Sequence, residues 1–239
     1  MIKILDCTTR DGGHNTNWEF TPDFIINLMD RLNKSGITYY EIGYRNHFDN
    51  SGKGQFYNCS PEFLKKYYSV KGNLKLCIMT DTKRFSIEDF PGSEKDYIDY
   101  IRIACHPNRI KETLDIAKNL HYRGYGIFVQ LMDISNITEE GLIALYCWQY
   151  KDIIESLYFA DSYGTLYPQD IEKYYNKLKS LGYKKISFHG HNNIQMALQN
   201  SLKAIELGAH SIDTTEDGIG RCGGNLNRTE LLDSLKIKQ

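Results

Sequence analysis

No apolar run in this sequence approaches the roughly 18 residues that a transmembrane helix needs, so no membrane span is expected. Met1-Ile2-Lys3-Ile4-Leu5 is too short and too quickly polar for a signal-peptide core, so no secretory leader is expected either. None of the cysteines (Cys7, Cys59, Cys77, Cys105, Cys147 and Cys222) is spaced Cys-x-x-Cys, which argues against a structural zinc site and against a disulfide framework. Reduced thiols in the cytoplasm are the expectation. Neither charge sign is in excess: 29 basic and 30 acidic residues leave a net charge of −1. That balance provides no field to hold nucleic acid or an anionic membrane, so the expected partner is a small molecule. Low-complexity segments, Pro/Gly/Ser-rich linkers and repeats of 20–50 residues are missing as well.

What is present fits one sizeable globular domain. Apolar residues make up 41% and charged residues 25% of 239 positions. Tyrosine is abundant at 18 residues, amphipathic cover for helices with a few left to line a polar pocket. Short β-rich runs occur at 3–7, 39–43, 74–80, 100–104, 126–131, 156–160, 185–189 and 210–214, as in a buried parallel sheet. Helical patterns lie between them. Thr21-Pro22-Asp23 offers an N-cap, a first-turn proline and an early acid, followed by the stripe Phe24, Ile25, Leu28 and Leu32 and a closing Gly36. Ser60-Pro61-Glu62 and Tyr167-Pro168-Gln169-Asp170 repeat that start, and Leu181-Gly182 closes the latter helix. Ile194, Ala197, Leu198, Ser201 and Ile205 share one helical face. Eight βα units in a chain near the ~250 residues typical of this architecture predict a single (β/α)8 barrel, with a doubly wound open sheet as runner-up. The last helix, about 227–235, predicts one catalytic domain over 1–239 without an appended lid.

In such a barrel the active site lies where strands end. Three clusters fall there. After the first strand, Arg10-Asp11-Gly12-Gly13-His14 places a cation, a carboxylate and an imidazole within five residues; alone, it also reads as a surface turn with incidental charges. After the seventh, His189-Gly190-His191-Asn192 carries two imidazoles two residues apart. In extended chain both point to the same side and can reach one metal ion. Two histidines and a carboxylate leave coordination positions open, the pattern of a catalytic metal site. After the eighth, 217–225 holds four glycines, suited to a mobile flap or to receiving a phosphate or carboxylate.

These motifs together resemble the DRE-TIM metallolyase superfamily, metal-dependent (β/α)8 aldolases and lyases. The likeness runs from Leu5-Asp6-Cys7-Thr8-Thr9-Arg10-Asp11-Gly12 through Tyr40-Glu41-Ile42-Gly43, Ala160-Asp161-Ser162-Tyr163-Gly164 and Phe188-His189-Gly190-His191-Asn192 to Gly218-Ile219-Gly220 and Gly224-Asn225. It implies that Asp11, His189 and His191 bind metal, with Asn225 as a fourth ligand. By the same likeness Arg10 stabilises enolate charge, and His14 stands where the hydroxyketoacid aldolases of the group keep a general base. Cys222 lies near the loop cysteine that moves a proton in the CoA lyases. Thr9 departs from the leucine usual before the Arg-Asp pair, and the C-terminal region of many members is lacking, which puts CoA recognition and aldehyde channelling in doubt.

The chemistry expected is reversible cleavage of a 4-hydroxy-2-oxo acid to pyruvate, or a related 2-oxo acid, and an aldehyde. Mixed oxygen and nitrogen ligands suit Mn²⁺ or Mg²⁺, with Zn²⁺ or Co²⁺ as alternatives. Arg10 is a permanent cation for the enolate, and His14 takes the hydroxyl proton. Cys222 or a water returns a proton, and Glu41 orients a ligand histidine or a water. Arg45, Arg102, Gln130 and Tyr163 are candidates for the substrate's distal end, each also readable as an ordinary barrel hydrogen-bonder. A homo-oligomer is compatible with the composition. The rival expectations are acyl-CoA Claisen lysis or condensation, a non-catalytic metal-binding barrel subunit, and a phosphate-binding sugar isomerase.

Overall fold

The computed structural model describes residues 2–47 and 52–237. Eight parallel strands close a barrel in chain order: β1 (Lys3–Asp6), β2 (Tyr39–Tyr44), β3 (Lys75–Asp81), β4 (Tyr100–Cys105), β5 (Gly126–Leu131), β6 (Ile154–Asp161), β7 (Ile186–Gly190) and β8 (Ser211–Thr214). Closure is made by β1 against β8, in register from Lys3 opposite Ser211 to Asp6 opposite Thr214. That pairing excludes the open sheet. The architecture is a single (β/α)8 barrel.

Two short helical turns follow β1: α1 (Thr8–Asp11) and α2 (Gly13–Thr16). The outer layer is built by α3 (Pro22–Lys34), α4 (Pro61–Tyr68), α5 (Ile110–Tyr122), α6 (Glu139–Cys147), α7 (Pro168–Ser180), α8 (Ala197–Glu206) and α9 (Arg228–Ile237). Among the described residues no helix is long and apolar enough to cross a membrane. The local start signals act as their chemistry dictates. The Thr21 and Ser60 hydroxyls accept from the backbone N–H of Phe24 and Phe63, each at 3.2 Å, and Asp170 accepts from the Tyr167 N–H at 3.0 Å. α3 buries Ile25, Leu28, Met29 and Leu32 against the sheet. α8 departs from its pattern. It begins at Ala197 because Gln195 takes a left-handed conformation, so Ile194 lies outside it and the buried face is Ala197, Asn200, Ser201 and Ala204.

Inside the barrel an aromatic floor forms. Phe128 stacks on Tyr100 at 4.7 Å between centroids and meets Tyr39 and Tyr158 edge-on at 5.1 and 5.5 Å. Above the floor the interior turns ionic. There β2 delivers Glu41, β4 Arg102, β7 His189 and β8 Asp213, beneath Arg10 and Asp11 from the turn after β1.

Candidate active site

The turn that carries Arg10 and Asp11 is fixed from three sides. Asp6 Oδ1 accepts from the Thr8 N–H at 3.0 Å, and the Thr8 hydroxyl accepts from the Glu216 N–H at 2.8 Å. The Thr9 hydroxyl donates to the Ile42 carbonyl at 2.7 Å and lies 2.8 Å from the Tyr40 hydroxyl, ties to β2 that no leucine could make. The Trp18 indole donates to the Arg10 carbonyl at 3.0 Å. Arg10 and Asp11 are thereby held at the barrel mouth with both side chains buried.

His189 and His191 project from β7 and the residue just after it, two positions apart and on one side, as the alternation of extended chain requires. Their Nε2 atoms face each other at 3.4 Å. Each Nδ1 is already committed. That of His189 lies 2.9 Å from Asp213 Oδ2, and that of His191 lies 3.1 and 3.3 Å from the carbonyls of Arg221 and Gly224. These partners only accept, so both protons belong on Nδ1, and two Nε2 lone pairs point at one spot. Burial and the neighbouring His189 push the His191 imidazole down to about 4, so its own Nε2 carries no proton near neutrality. Two nitrogens about 2.1 Å from a shared cation, at tetrahedral or octahedral angles, stand roughly 3.0–3.4 Å apart. The pair fits a metal ion.

Asp11 is coupled electrostatically to both imidazoles and Asn225 bridges to His191 through the backbone, but Asp11, His189 and His191 are not gathered within 4.8 Å of one another. Burial alone would raise the Asp11 carboxyl, yet Arg10 and the two imidazoles hold it well below the usual carboxylate range. Its Oδ1 accepts from Arg10 Nη1 at 2.6 Å and its Oδ2 from Asn225 Nδ2, also at 2.6 Å. Asn225 Oδ1 and Arg10 Nη2 are buried without a partner, an oxygen donor for a cation and a free guanidinium N–H for an anionic oxygen. Asp11 and Asn225 are thus paired with each other beside the imidazoles. Among the described residues, Cys7, His189 and Asp213 also form a donor group, mutually within 4.8 Å. In that group Asp213 Oδ2 is taken by Arg102 and His189 while Oδ1 is unpartnered, and burial pushes the Cys7 thiol well up, away from the thiolate that binds metal.

His14 is open to solvent at the mouth, edge-on to Trp18 at 4.5 Å, with Nε2 3.5 Å from the Tyr44 hydroxyl. Partial burial of the ring and the adjacent Arg221 push its imidazole down to about 3, so it is a neutral acceptor at working pH. Cys222 is exposed on the glycine-rich loop in a left-handed conformation. That loop is pinned rather than loose: Asn225 N–H donates to Gly218 at 2.8 Å and Asn192 N–H to Gly224 at 2.9 Å.

Several expected roles change. Glu41 reaches no ligand histidine; its carboxylate lies between Arg10, at 2.6 Å, and Arg102, at 2.7 Å. Arg45 turns from the mouth into a buried pair with Asp96 at 2.5 Å and donates to the Cys59 carbonyl at 2.8 Å, so it is not free for substrate. Arg102 is fully buried and spent on Glu41 and Asp213. Gln130 is buried with Oε1 unpartnered, and Tyr163 is exposed, donating to Asp133 at 3.1 Å. Asp213 and Arg221 also belong to the site, without a strong signal in the sequence. A lone acid in a short strand, as in Ser211-Ile212-Asp213-Thr214, was the available signal for the first; the Arg221 N–H, 3.3 Å from Asp11 Oδ2, had none.

The family model described as HMGL-like matches residues 99–239, which carry His189, His191 and Asn225. The chain is 29% identical over 226 residues to oxaloacetate decarboxylase of Mycobacterium tuberculosis, covering 93% of this chain and 66% of that protein. It is 29% identical over 246 residues to 4-hydroxy-2-oxovalerate aldolase of Carboxydothermus hydrogenoformans, covering 99% and 71%. It thus spans about two thirds of the length of these relatives. The solved N-terminal domain of a protein designated an aldolase, from Bacteroides vulgatus, superposes with a TM-score of 0.88 at 31% identity, covering 98% of this chain and 79% of that one.

Proposed function

The chain belongs to the HMGL-like family, within the DRE-TIM superfamily, and on that premise we propose that it is a divalent-metal-dependent carbon–carbon lyase that cleaves a 4-hydroxy-2-oxo acid to pyruvate, or a related 2-oxo acid, and an aldehyde. The observation that carries this reading is the pair of Nε2 lone pairs 3.4 Å apart with both Nδ1 atoms spent. His189 and His191, with Asp11 and the Asn225 oxygen beside them, would hold the ion. Mn²⁺ or Mg²⁺ fits this donor set, with Zn²⁺ or Co²⁺ as alternatives. When bound there, a divalent cation supplies Lewis acidity for the 2-oxo group.

The chain's own residues supply the rest. The neutral His14 accepts the proton of the C4 hydroxyl. As that O–H bond breaks, the C4–O bond becomes the aldehyde carbonyl, and the C3–C4 electron pair moves into the enolate of the 2-oxo acid. Arg10 Nη2, buried and unpartnered, donates to the oxygen on which that charge collects, where low dielectric strengthens the contact. Its charge is secure: burial opposes it, but Glu41 and Asp11 hold it well above the ordinary arginine range. C3 then takes a proton from water or from the Cys222 thiol at the rim.

The oxaloacetate decarboxylase relative favours a second reading, loss of CO₂ from a 2-oxo diacid through the same enolate. That path needs no hydroxyl proton acceptor. One experiment separates the two: the chain with Mn²⁺ is supplied with pyruvate and an aldehyde panel in one arm, and with oxaloacetate in the other. A 4-hydroxy-2-oxo acid in the first arm supports the aldolase. Turnover in the second alone replaces it with the decarboxylase. Metal-bound protein inert in both arms, with no deuterium exchange into the pyruvate methyl group, overturns the lyase assignment in favour of a non-catalytic barrel.

A further inference from the structure

Six side chains, none more than 2% exposed, make one unbroken line of contacts beneath the mouth. Asp11 Oδ1 accepts from Arg10 Nη1 at 2.6 Å, and Arg10 Nε donates to Glu41 Oε2 at 2.6 Å. Arg102 Nε donates to Glu41 Oε1 at 2.7 Å and Nη2 to Oε2, while Nη1 donates to Asp213 Oδ2. The same Asp213 oxygen meets His189 Nδ1 at 2.9 Å. The line begins at one candidate ligand and ends at another. Arg102, reaching across the barrel from β4, is the member that joins its halves.

We propose that Arg102 is a positioning residue that sets both the tautomer of His189 and the aim of Arg10, so that one side chain beneath the site governs metal holding and charge stabilisation together. The proposal rests on His189 and His191 as metal ligands. Its physical basis is the guanidinium fork. Three N–H groups in one rigid plane serve two carboxylates at once, whereas an ammonium is a point charge without that geometry. The plane is braced from below by the Tyr158 ring, 4.9 Å from the guanidinium carbon. Arg102 is closed to solvent and to substrate, so its influence passes through its partners. Without it, Asp213 loses the donor that orients it, and the His189 Nδ1–H loses a fixed acceptor. The ring can then turn or shift its proton and withdraw the Nε2 lone pair. On the other side Glu41 keeps only Arg10, and the direction of Nη2 is no longer determined from below.

The test uses the full chain with Arg102→Lys and Arg102→Gln, with Arg45→Gln as control, since it removes a buried ion pair away from the ligands. Mn²⁺ affinity is measured by competition with a fluorescent chelator, folding by thermal melting, and Arg10 function by deuterium exchange into pyruvate at saturating Mn²⁺. Arg102→Lys is expected to bind Mn²⁺ about 10–100-fold more weakly, the usual loss when a ligand's supporting partner is removed. It is also expected to stay at least tenfold slower in exchange once metal is saturating. Arg45→Gln melts lower but keeps the wild-type Kd within twofold. Asp213→Asn weakens metal binding yet recovers exchange at saturating Mn²⁺, because Glu41 and Arg10 are untouched. A Kd for Arg102→Lys within twofold of wild type overturns the proposal, as does an equal loss in Arg45→Gln. Should neither Arg102 variant fold, Glu41→Gln, two contacts from Asp11 and three from His189, must weaken Mn²⁺ binding several-fold, and an unchanged Kd is fatal. Wild-type protein that binds no Mn²⁺, Mg²⁺, Zn²⁺ or Co²⁺ sinks the ligand assignment itself, a result distinct from binding that ignores Arg102.

Discussion

A Cβ atom on Gly220 would lie 1.8 Å from Nδ2 of Asn225 and 2.5 Å from Oδ2 of Asp11. The glycine-rich loop therefore owes at least one glycine to packing over the ligands rather than to mobility: only a bare Cα lets Asn225 and Asp11 meet beneath it. Gly220→Ala is expected to cost about 1–3 kcal/mol of stability, the usual range for overpacking a tight site. It should also weaken Mn²⁺ binding tenfold or more, because both contacted atoms belong to candidate ligands. Urea unfolding and a Mn²⁺ titration check both; wild-type affinity in the alanine variant would show that the contact is not part of the metal site.

Two Nε2 lone pairs aimed at one point repel unless a cation stands between them. Metal should therefore stabilise the fold, by about 2.7 kcal/mol at a free concentration 100 times Kd. Thermal melting with EDTA, and then with excess Mn²⁺ or Mg²⁺, reads the shift. His191→Ala should abolish it, and chelation followed by add-back should remove and restore turnover. A melting point indifferent to metal in chelator-stripped protein contradicts the site.

The same imidazole makes the metal-free protein acid-sensitive in a defined window. Burial and His189 push His191 down to about 4 in the folded chain, while an unfolded histidine titrates near 6.5. Between those values the unfolded state binds the proton and the folded state does not, so stability falls as pH falls from about 6.5 to about 4. The slope is about 1.4 kcal/mol per pH unit for one proton. His14, also pushed down, adds to it by less, because its ring is only partly buried in an exposed residue. Asp213 is held low against its own burial by Arg102, so its contribution is lost only at still lower pH. Unfolding in chelator at pH 7.0, 6.0 and 5.0 measures the slope, and His191→Gln should flatten it. An identical slope in that variant would exclude His191 as the cause.

Local signals carried most of the fold. The caps at Thr21 and Ser60 are contacts between residues three apart, and the two imidazoles share a side because extended chain alternates. The resemblance marked Arg10 and Asp11, whose turn is set by neighbours within a few positions and by β2. Partner choice across the barrel was not legible. Arg45 finds Asp96 and Arg102 finds Asp213, 51 and 111 residues away, and nothing near either arginine in sequence says which carboxylate will claim it. An arginine on a barrel strand reads alike whether it binds substrate or braces a ligand. Only the closed sheet, with β4 facing β8 across the interior, decides between them.

His14 and Arg10 should separate kinetically, because they act on different bonds. In the proposed reaction His14 accepts a hydroxyl proton, a group that pyruvate itself lacks, whereas Arg10 Nη2 would face enolate charge in either direction. His14→Gln is therefore expected to lower cleavage of the 4-hydroxy-2-oxo acid by roughly 10²–10⁴-fold, the range for loss of a general base. Metal-dependent deuterium exchange into the pyruvate methyl group should stay within tenfold of wild type. Arg10→Gln should depress both. Since the imidazole is pushed down to about 3, wild-type kcat/KM should show no acid limb near pH 6.5 that belongs to His14. Parallel assays of cleavage and exchange, each followed from pH 5.5 to 8, decide the matter. If His14→Gln removes exchange as completely as cleavage, His14 serves the enolate rather than the hydroxyl, and Arg10 is not alone in that role.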